Sequence, residues 1–197
     1  MFLSMMSMMR ARREQTATLQ NNLKIKILTY TTLYPDSTRP AHGVFVENRL
    51  RHLVARGDVE SRVVAPVPWF FSKSSCFGQY AQFSRVPREE LRFNIPVEHP
   101  RYPLPPKFGM TAAPFLLAAA TKPIIRRTIR EGYDFDILDA HYFYPDGVAA
   151  AIISRSLNKP FVVTARGSDL NQIADYPTQR RLIQWAAGRA SGLVTVC

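Results

Sequence analysis

Cysteine is scarce: the 197 residues hold two, Cys76 and Cys197. That is no disulfide framework and no metal-ligand spacing, so the easier reading is a reducing compartment, with no metal site expected. Acidic residues are also short, 15 Asp+Glu against 26 Lys+Arg, for a net charge of +11. The imbalance lies early. Residues 1–130 hold 20 basic and 8 acidic side chains, whereas residues 131–197 hold 6 and 7. Such a surplus could serve nucleic acid, an anionic membrane or anionic substrates. Zinc spacing, an RNP-like aromatic motif and lysine-rich runs are all missing, which counts against nucleic acid. Long apolar runs are missing too; Ala112 to Ala120 is too short to cross a bilayer. No GxGxxG is present, which argues against dinucleotide binding. There is no internal repeat.

What is present is the length of one ordinary domain, enough to bury a substantial core. The hydrophobic share of 46% and the charged share of 21% are globular values. Residues 1–22, rich in Met, Arg, Gln and Thr, lack a continuous apolar region and a cleavage site. They are expected to be a disordered extension, with a membrane-surface helix as the alternative. Residues 23–197 are expected to form the folded domain.

The most informative stretch runs from Phe135 to Asp169. Phe135–Leu138 is a short apolar strand entering Asp139-Ala140-His141. Pro145 stands where a helix begins, Asp146 adds a negative charge to its first turn, and Val148, Ile152, Ile153 and Leu157 carry helical spacing. Asn158-Lys159-Pro160 breaks that helix, and Phe161–Thr164 is a buried strand. This is a βαβ crossover, which implies a parallel sheet, and parallel sheets place ligands outside the carboxyl ends of their strands. Two polar clusters sit there: Asp139, His141 and Tyr142, and Arg166, Gly167, Ser168 and Asp169. A plainer reading makes Asp169 a helix cap, Gly167 a turn and His141 a hydrogen-bonded residue near the core.

Upstream, Lys24–Tyr30 is a strand, followed by a polar loop, Gly43 and a helix over Val44–Arg56. Val46, Leu50, Leu53 and Val54 make its buried stripe, and Gly57 ends it. Gly43 and nearby N–H groups at this helix start would favour an anion; the alternative is a packing turn. Ser61–Ala65 is a second strand. Residues 66–111 are expected to be loops around a strand near Leu91–Val97. Thr111–Glu131 is a helix capped by Thr111 and kinked or split at Pro123. Five cations and no anion in residues 107–130, beside Phe108, Phe115, Leu116 and Leu117, would suit an anionic bilayer; the alternative is an amphipathic helix packed on the sheet. Pro177–Arg189 is a helix and Leu193–Val196 a last strand. Strands alternating with helices give the fold class: α/β, a doubly wound, mostly parallel, Rossmann-like sheet.

Three blocks in order, ILTYTTLYPDSTRPAHGVFVENRLRHL, HYFYPDGVAAA and PFVVTARGSDL, resemble the amino-terminal domain of family 4 glycosyltransferases. These are retaining, two-domain GT-B enzymes, and the likeness is to the branch that builds bacterial surface polysaccharides. The resemblance implies one half of a GT-B fold, truncated before the second domain that grips most of the nucleotide sugar. It implies a nucleotide-diphosphate sugar as donor, a glycan or lipid-linked acceptor, and no dedicated metal or cofactor. His42 and Gly43 would lie in the interdomain cleft near donor phosphate, with Gly167 and Ser168. Arg166 stands where many relatives place a histidine, and it is expected to contact donor sugar or phosphate, with Asp169 fixing the turn or touching ligand. Asp139, His141 and Tyr142 would face the acceptor.

The expected location is the cytoplasm, peripheral at the inner face of the membrane, and the isolated chain is expected to be inactive. The alternative is a non-catalytic remnant, or an acceptor-binding subunit of a split enzyme whose partner chain carries the donor site.

Overall fold

A computed structural model describes residues 24–104 and 109–196. The extension expected over residues 1–22 lies outside the described residues, as do Lys107, Phe108 and Cys197.

Nine strands are present among the described residues: β1 (Ile25–Tyr30), β2 (Val59–Val64), β3 (Val67–Pro68), β4 (Glu89–Arg92), β5 (Ile95–Glu98), β6 (Arg101–Tyr102), β7 (Ile137–His141), β8 (Phe161–Ala165) and β9 (Gly192–Thr195). The helices are α1 (Val44–Ala55), α2 (Gln79–Arg85), α3 (Gly109–Arg130), α4 (Val148–Leu157), α5 (Ser168–Asn171) and α6 (Pro177–Ala187). Seven strands form the main sheet in the order β4-β5-β2-β1-β7-β8-β9; β3 and β6 pair in parallel beside it. Only β4 is antiparallel to its neighbour in the main sheet. Counting the parallel strands in chain order gives 3-2-1-4-5-6, the doubly wound arrangement. The order reverses between β1 and β7, so the chain leaves those two strands in opposite directions and opens a crevice at their carboxyl ends.

Both faces of the sheet are covered. Leu28, Tyr30, Leu138, Ala140 and Val163 pack with Leu117 and Ile125 of α3, Val148 and Ile153 of α4, and Ile183 of α6. On the opposite face Val63 and Val97 pack with Val46 and Leu50 of α1. Adjacent residues Val63 and Val64 fall in different clusters, as period-two alternation in a doubly covered strand requires. The same alternation turns Asp139 and His141 away from the cluster that takes Leu138 and Ala140, toward the α1 face.

Several expectations need correction. Residues 66–111 are not mainly loops around one strand. They hold the β4–β5 hairpin, whose Phe93-Asn94 turn has positive φ at both residues (49° and 63°), together with β3, β6 and α2. A two-residue turn of that kind matches the right-handed twist of the strands it joins. Thr111 does not cap α3, which begins earlier; its hydroxyl accepts a hydrogen bond from Gln179 Nε2 at 3.2 Å. Pro123 does not split α3, which runs continuously from Gly109 to Arg130. Asp146 does stand at the helix start, but it does more than add a charge there. It is fully buried in a single π-turn, Phe143–Gly147, that precedes α4 and contains the cis Tyr144–Pro145 bond.

Helix α3 is the amphipathic helix packed on the sheet that was the plainer expectation. Leu117 and Ile125 are fully buried, and Arg127 pairs with Glu98. Among the described residues no helix is long and apolar enough to cross a membrane.

Candidate active site at the switch point

Three loops meet at the crevice: the one after β1, the π-turn after β7, and the turn after β8. Two buried carboxylates stitch them together. Asp146 accepts from the Thr32 backbone N–H at 2.6 Å and from the hydroxyls of Thr31 (3.2 Å) and Thr32 (3.0 Å). Burial pushes the Asp146 carboxyl up to about 7; the donors of Thr32 and Thr31 offset part of that, and the negative charge of Asp169 adds to it. Asp169 accepts from the Phe143 N–H at 2.6 Å and the Arg166 N–H at 2.9 Å, joining the β7 loop to the β8 turn. Asp169 is therefore wholly buried, with both oxygens occupied by backbone donors.

Beside this frame lies a charged cluster on the α1 face. Asp139 and His141, two residues apart on β7, point the same way. Arg49, projecting from α1, donates to Asp139 Oδ2 at 2.6 Å. Arg166 places Nη2 2.9 Å from His141 Nδ1. On the other side of the ring, His141 Nε2 lies 3.1 Å from both Asp139 Oδ2 and Arg49 Nη1. His141 is thus a neutral ring between two cations. Burial, Arg49 and Arg166 hold its pKa below the ordinary value, against the pull of Asp139. Burial works to raise the Asp139 carboxyl, but His141 and Arg49 outweigh it and hold it below the usual range. The Arg166 guanidinium stacks 4.7 Å over the Phe45 ring, and its Nε is buried with no protein partner.

Sequence reasoning missed Arg49 and Phe45. They stand four residues apart on α1, hence on one helix face, and that face also carries the buried Val46 and Leu50. A cation and an aromatic adjoining an apolar stripe were the available signal.

The remaining expected residues divide into neighbours and supports. His42 donates from Nε2 to the Thr32 carbonyl at 3.0 Å, which ties the start of α1 to the β1 loop. Gly43 has φ +67°, and a Cβ there would lie 2.2 Å from the Leu33 carbonyl oxygen. Close backbone approach and positive φ both require glycine at this position. Gly167 turns with φ +102°. Ser168 Oγ and the Tyr142 hydroxyl are 2.8 Å apart, linking the two loops at the surface. The structure therefore brings Asp139, His141 and Arg166 together as one cluster, with Tyr142 and Ser168 paired beside it, while Gly43 and Asp169 serve the backbone. Among the described residues no group of three or more His, Cys, Asp or Glu side chains is placed to hold a metal.

A cleft of about 1040 Å³ opens at the switch-point loops. Trp69, Phe70, Phe71 and Tyr80 line it from the segment after β3, Leu104 and Met110 from around the start of α3, and Thr32, Tyr142 and Pro145 from the switch-point loops.

The strand order and the loop cluster define a Rossmann-like domain of GT-B type. Solved structures agree on the fold. A UDP-N-acetylglucosamine 2-epimerase from Listeria monocytogenes superposes with a TM-score of 0.50 and 15% identity, over 87% of this chain and 39% of that one. The UDP-GlcNAc 2-epimerase of Methanocaldococcus jannaschii gives 0.50 and 9%, over 88% and 39%. The sequence is more specific. The family model described as Glycosyltransferase Family 4 matches residues 42–197, and the chain belongs to that family. TuaC of Bacillus subtilis (strain 168), named for glycosyl transfer in teichuronic acid biosynthesis, is 31% identical over 176 residues. That alignment takes in 87% of this chain and 44% of TuaC, so the chain spans under half the length of this curated relative.

Proposed function

We propose that the chain is the acceptor-side half of a retaining glycosyltransferase. It serves transfer of a hexosyl unit from a nucleotide-diphosphate sugar to a lipid-linked or polysaccharide acceptor in cell-envelope polysaccharide synthesis, as the name of TuaC suggests. The observation that carries this reading is the pair of guanidinium groups, Arg49 and Arg166, held at the carboxyl ends of β7 and β8 at the switch point. Leaving of a nucleoside diphosphate builds negative charge, and cations fixed in place before the reaction stabilise it without reorganising. Arg166 is preset by Phe45 beneath it and His141 beside it. His141 must stay neutral to accept from Arg166, and burial together with the flanking cations favours that form. Asp139 holds the His141 ring and Arg49 together. Asp169 and Asp146 position the loops. His42 and Gly43 set the start of α1 near the donor phosphates, and Gly167 and Ser168 shape the opposite wall.

Turnover is assigned to the longer protein of which this chain supplies one half, working at the cytoplasmic face of the membrane. The test is a panel of nucleotide sugars offered to that longer protein with a lipid-linked glycan acceptor, the product being read by proton NMR. Transfer with the anomeric configuration of the donor preserved is expected. Inversion, or release of free sugar without transfer, would overturn the reading.

A further inference from the structure

Among the described residues, four other than glycine have positive φ: Phe93, Asn94, Tyr142 and Asn158. Three have ordinary reasons. Phe93 and Asn94 form the hairpin turn, and Asn158 is the left-handed C-cap of α4. Tyr142 has neither. It follows directly on β7 with φ 78° and ψ 114°, outside even the small left-handed region that Asn and Asp tolerate. A bulky residue persists there only when its surroundings over-determine it. Here they do. The Tyr142 N–H donates to the Thr164 carbonyl at 2.9 Å, and its own carbonyl accepts from the Gly147 N–H at 3.0 Å. The next N–H, of Phe143, is the one that Asp169 takes at 2.6 Å.

Held so, Tyr142 reaches the turn after β8, where its hydroxyl lies 2.8 Å from Ser168 Oγ. That turn needs such a tie. At its centre Gly167 has φ +102°, and a Cβ there would meet nothing within 4 Å, so no packing wedges the backbone at this point. Asp169 holds the Arg166 N–H at 2.9 Å and is wholly buried, part of the frame of the fold. The Tyr142–Ser168 pair is half-buried and joins side chains only, so it can be cut with that frame left standing. Arg166 opens the turn, and its guanidinium lies over Phe45 with Nη2 on His141. We propose that Tyr142 is a positioning residue, held in a strained backbone conformation so that its hydroxyl, through Ser168, sets the Arg166 turn and with it the aim of the guanidinium. The consequence for catalysis rests on the glycosyltransferase reading; the effect on Arg166 rests on geometry alone.

The strain is read by urea unfolding of Tyr142→Gly and Tyr142→Ala. Both lose the ring, but only glycine accepts this φ and ψ, so Tyr142→Gly should be at least as stable as Tyr142→Ala, the reverse of the usual order. The aim is read by NMR of the chain. Tyr142→Phe and Ser168→Ala should each shift the Arg166 Nε–H resonance and the His141 ring signals, with the Leu138 amide unmoved. In the longer protein the same two variants should lower kcat about tenfold, with KM for the nucleotide sugar within about twofold. The double variant should fall no further than either single one, as for two halves of one contact. Ser168→Thr, which keeps a hydroxyl, should recover part of the loss. Greater stability of Tyr142→Ala than of Tyr142→Gly, unmoved Arg166 signals, or additive losses in the double variant would each overturn the proposal. Unmoved Arg166 signals in a protein that transfers sugar would remove this inference alone. Shifted signals in a protein that transfers none would remove the glycosyltransferase reading alone.

Discussion

The buried carboxyl of Asp146 makes the stability of this domain depend on pH in a direction opposite to ordinary acid denaturation. Its folded-state pKa is about 7 against an ordinary 3.8. At about 1.36 kcal/mol per pH unit, the folded state is disfavoured by about 4 kcal/mol once the group must ionise. The contribution is fully present below pH about 4, declines as pH rises through about 7, and is gone above that. The three donors from Thr31 and Thr32 reduce the cost of charge at this site without abolishing it. Asp36 and Asp139 act oppositely. Burial works to raise both, but hydrogen bonds and neighbouring cations outweigh it and hold both carboxyls low, so their contribution is lost only in stronger acid.

The perturbation is Asp146→Asn, which keeps the shape and an accepting oxygen but cannot ionise. Urea unfolding of both proteins, followed by circular dichroism from pH 4.5 to pH 8, gives the difference between them. The wild type should lose ground relative to the variant by about 3–4 kcal/mol across that window. With m about 2–3 kcal/mol/M, the gap between midpoints should change by more than about 1 M. Parallel midpoint curves would refute the assignment of a raised carboxyl at this position.

Gly43→Ala must place a Cβ 2.2 Å from the Leu33 carbonyl oxygen at positive φ and should cost about 2–5 kcal/mol, whereas Gly57→Ala, with φ +87° and nothing within 4 Å, should cost about 1–2; comparable midpoints in urea would contradict the packing argument. Asp139→Ala leaves Arg49 and His141 without their shared acceptor; it should destabilise the domain by about 1–3 kcal/mol and lower the His141 pKa further, read by NMR titration of the ring protons. Leu117→Ala, in the fully buried part of α3, should cost about 2–5 kcal/mol; a loss under 1 would mean that α3 does not pack on the sheet as described.

Much of the fold was legible because the parallel strands are apolar runs punctuated by breakers. Phe161–Thr164 stops one residue short of β8, and Pro177–Arg189 overruns α6 by two. The hairpin of β4 and β5 escaped because its turn is Phe93-Asn94, without the glycine that usually marks such turns, and because Pro96 interrupts β5. Thr111 was mistaken for a cap because local chemistry fits a cap, yet its hydroxyl is held by Gln179, 68 residues away.

The same division holds at the site. Asp139, His141 and Arg166 were visible as polar residues at strand ends. Arg49 was hidden because a cation on a surface helix has no local mark of its partner, here 90 residues away. The role of Asp146 was hidden likewise: a carboxylate after a proline looks like a helix-start charge until the β1 loop is folded over it.

The central claim is that the cationic cluster at the switch point serves sugar transfer, and Arg166 tests it most directly. In the longer protein, initial rates of transfer from the active nucleotide sugar should fall by at least about a hundredfold in Arg166→Ala, as for loss of a preorganised charge-stabilising donor. Arg166→Lys should recover only part, because an ammonium cannot both stack on Phe45 and donate to His141 in the same fork geometry. Transfer within a fewfold of wild type in Arg166→Ala, with fold and donor affinity unchanged, would contradict the account.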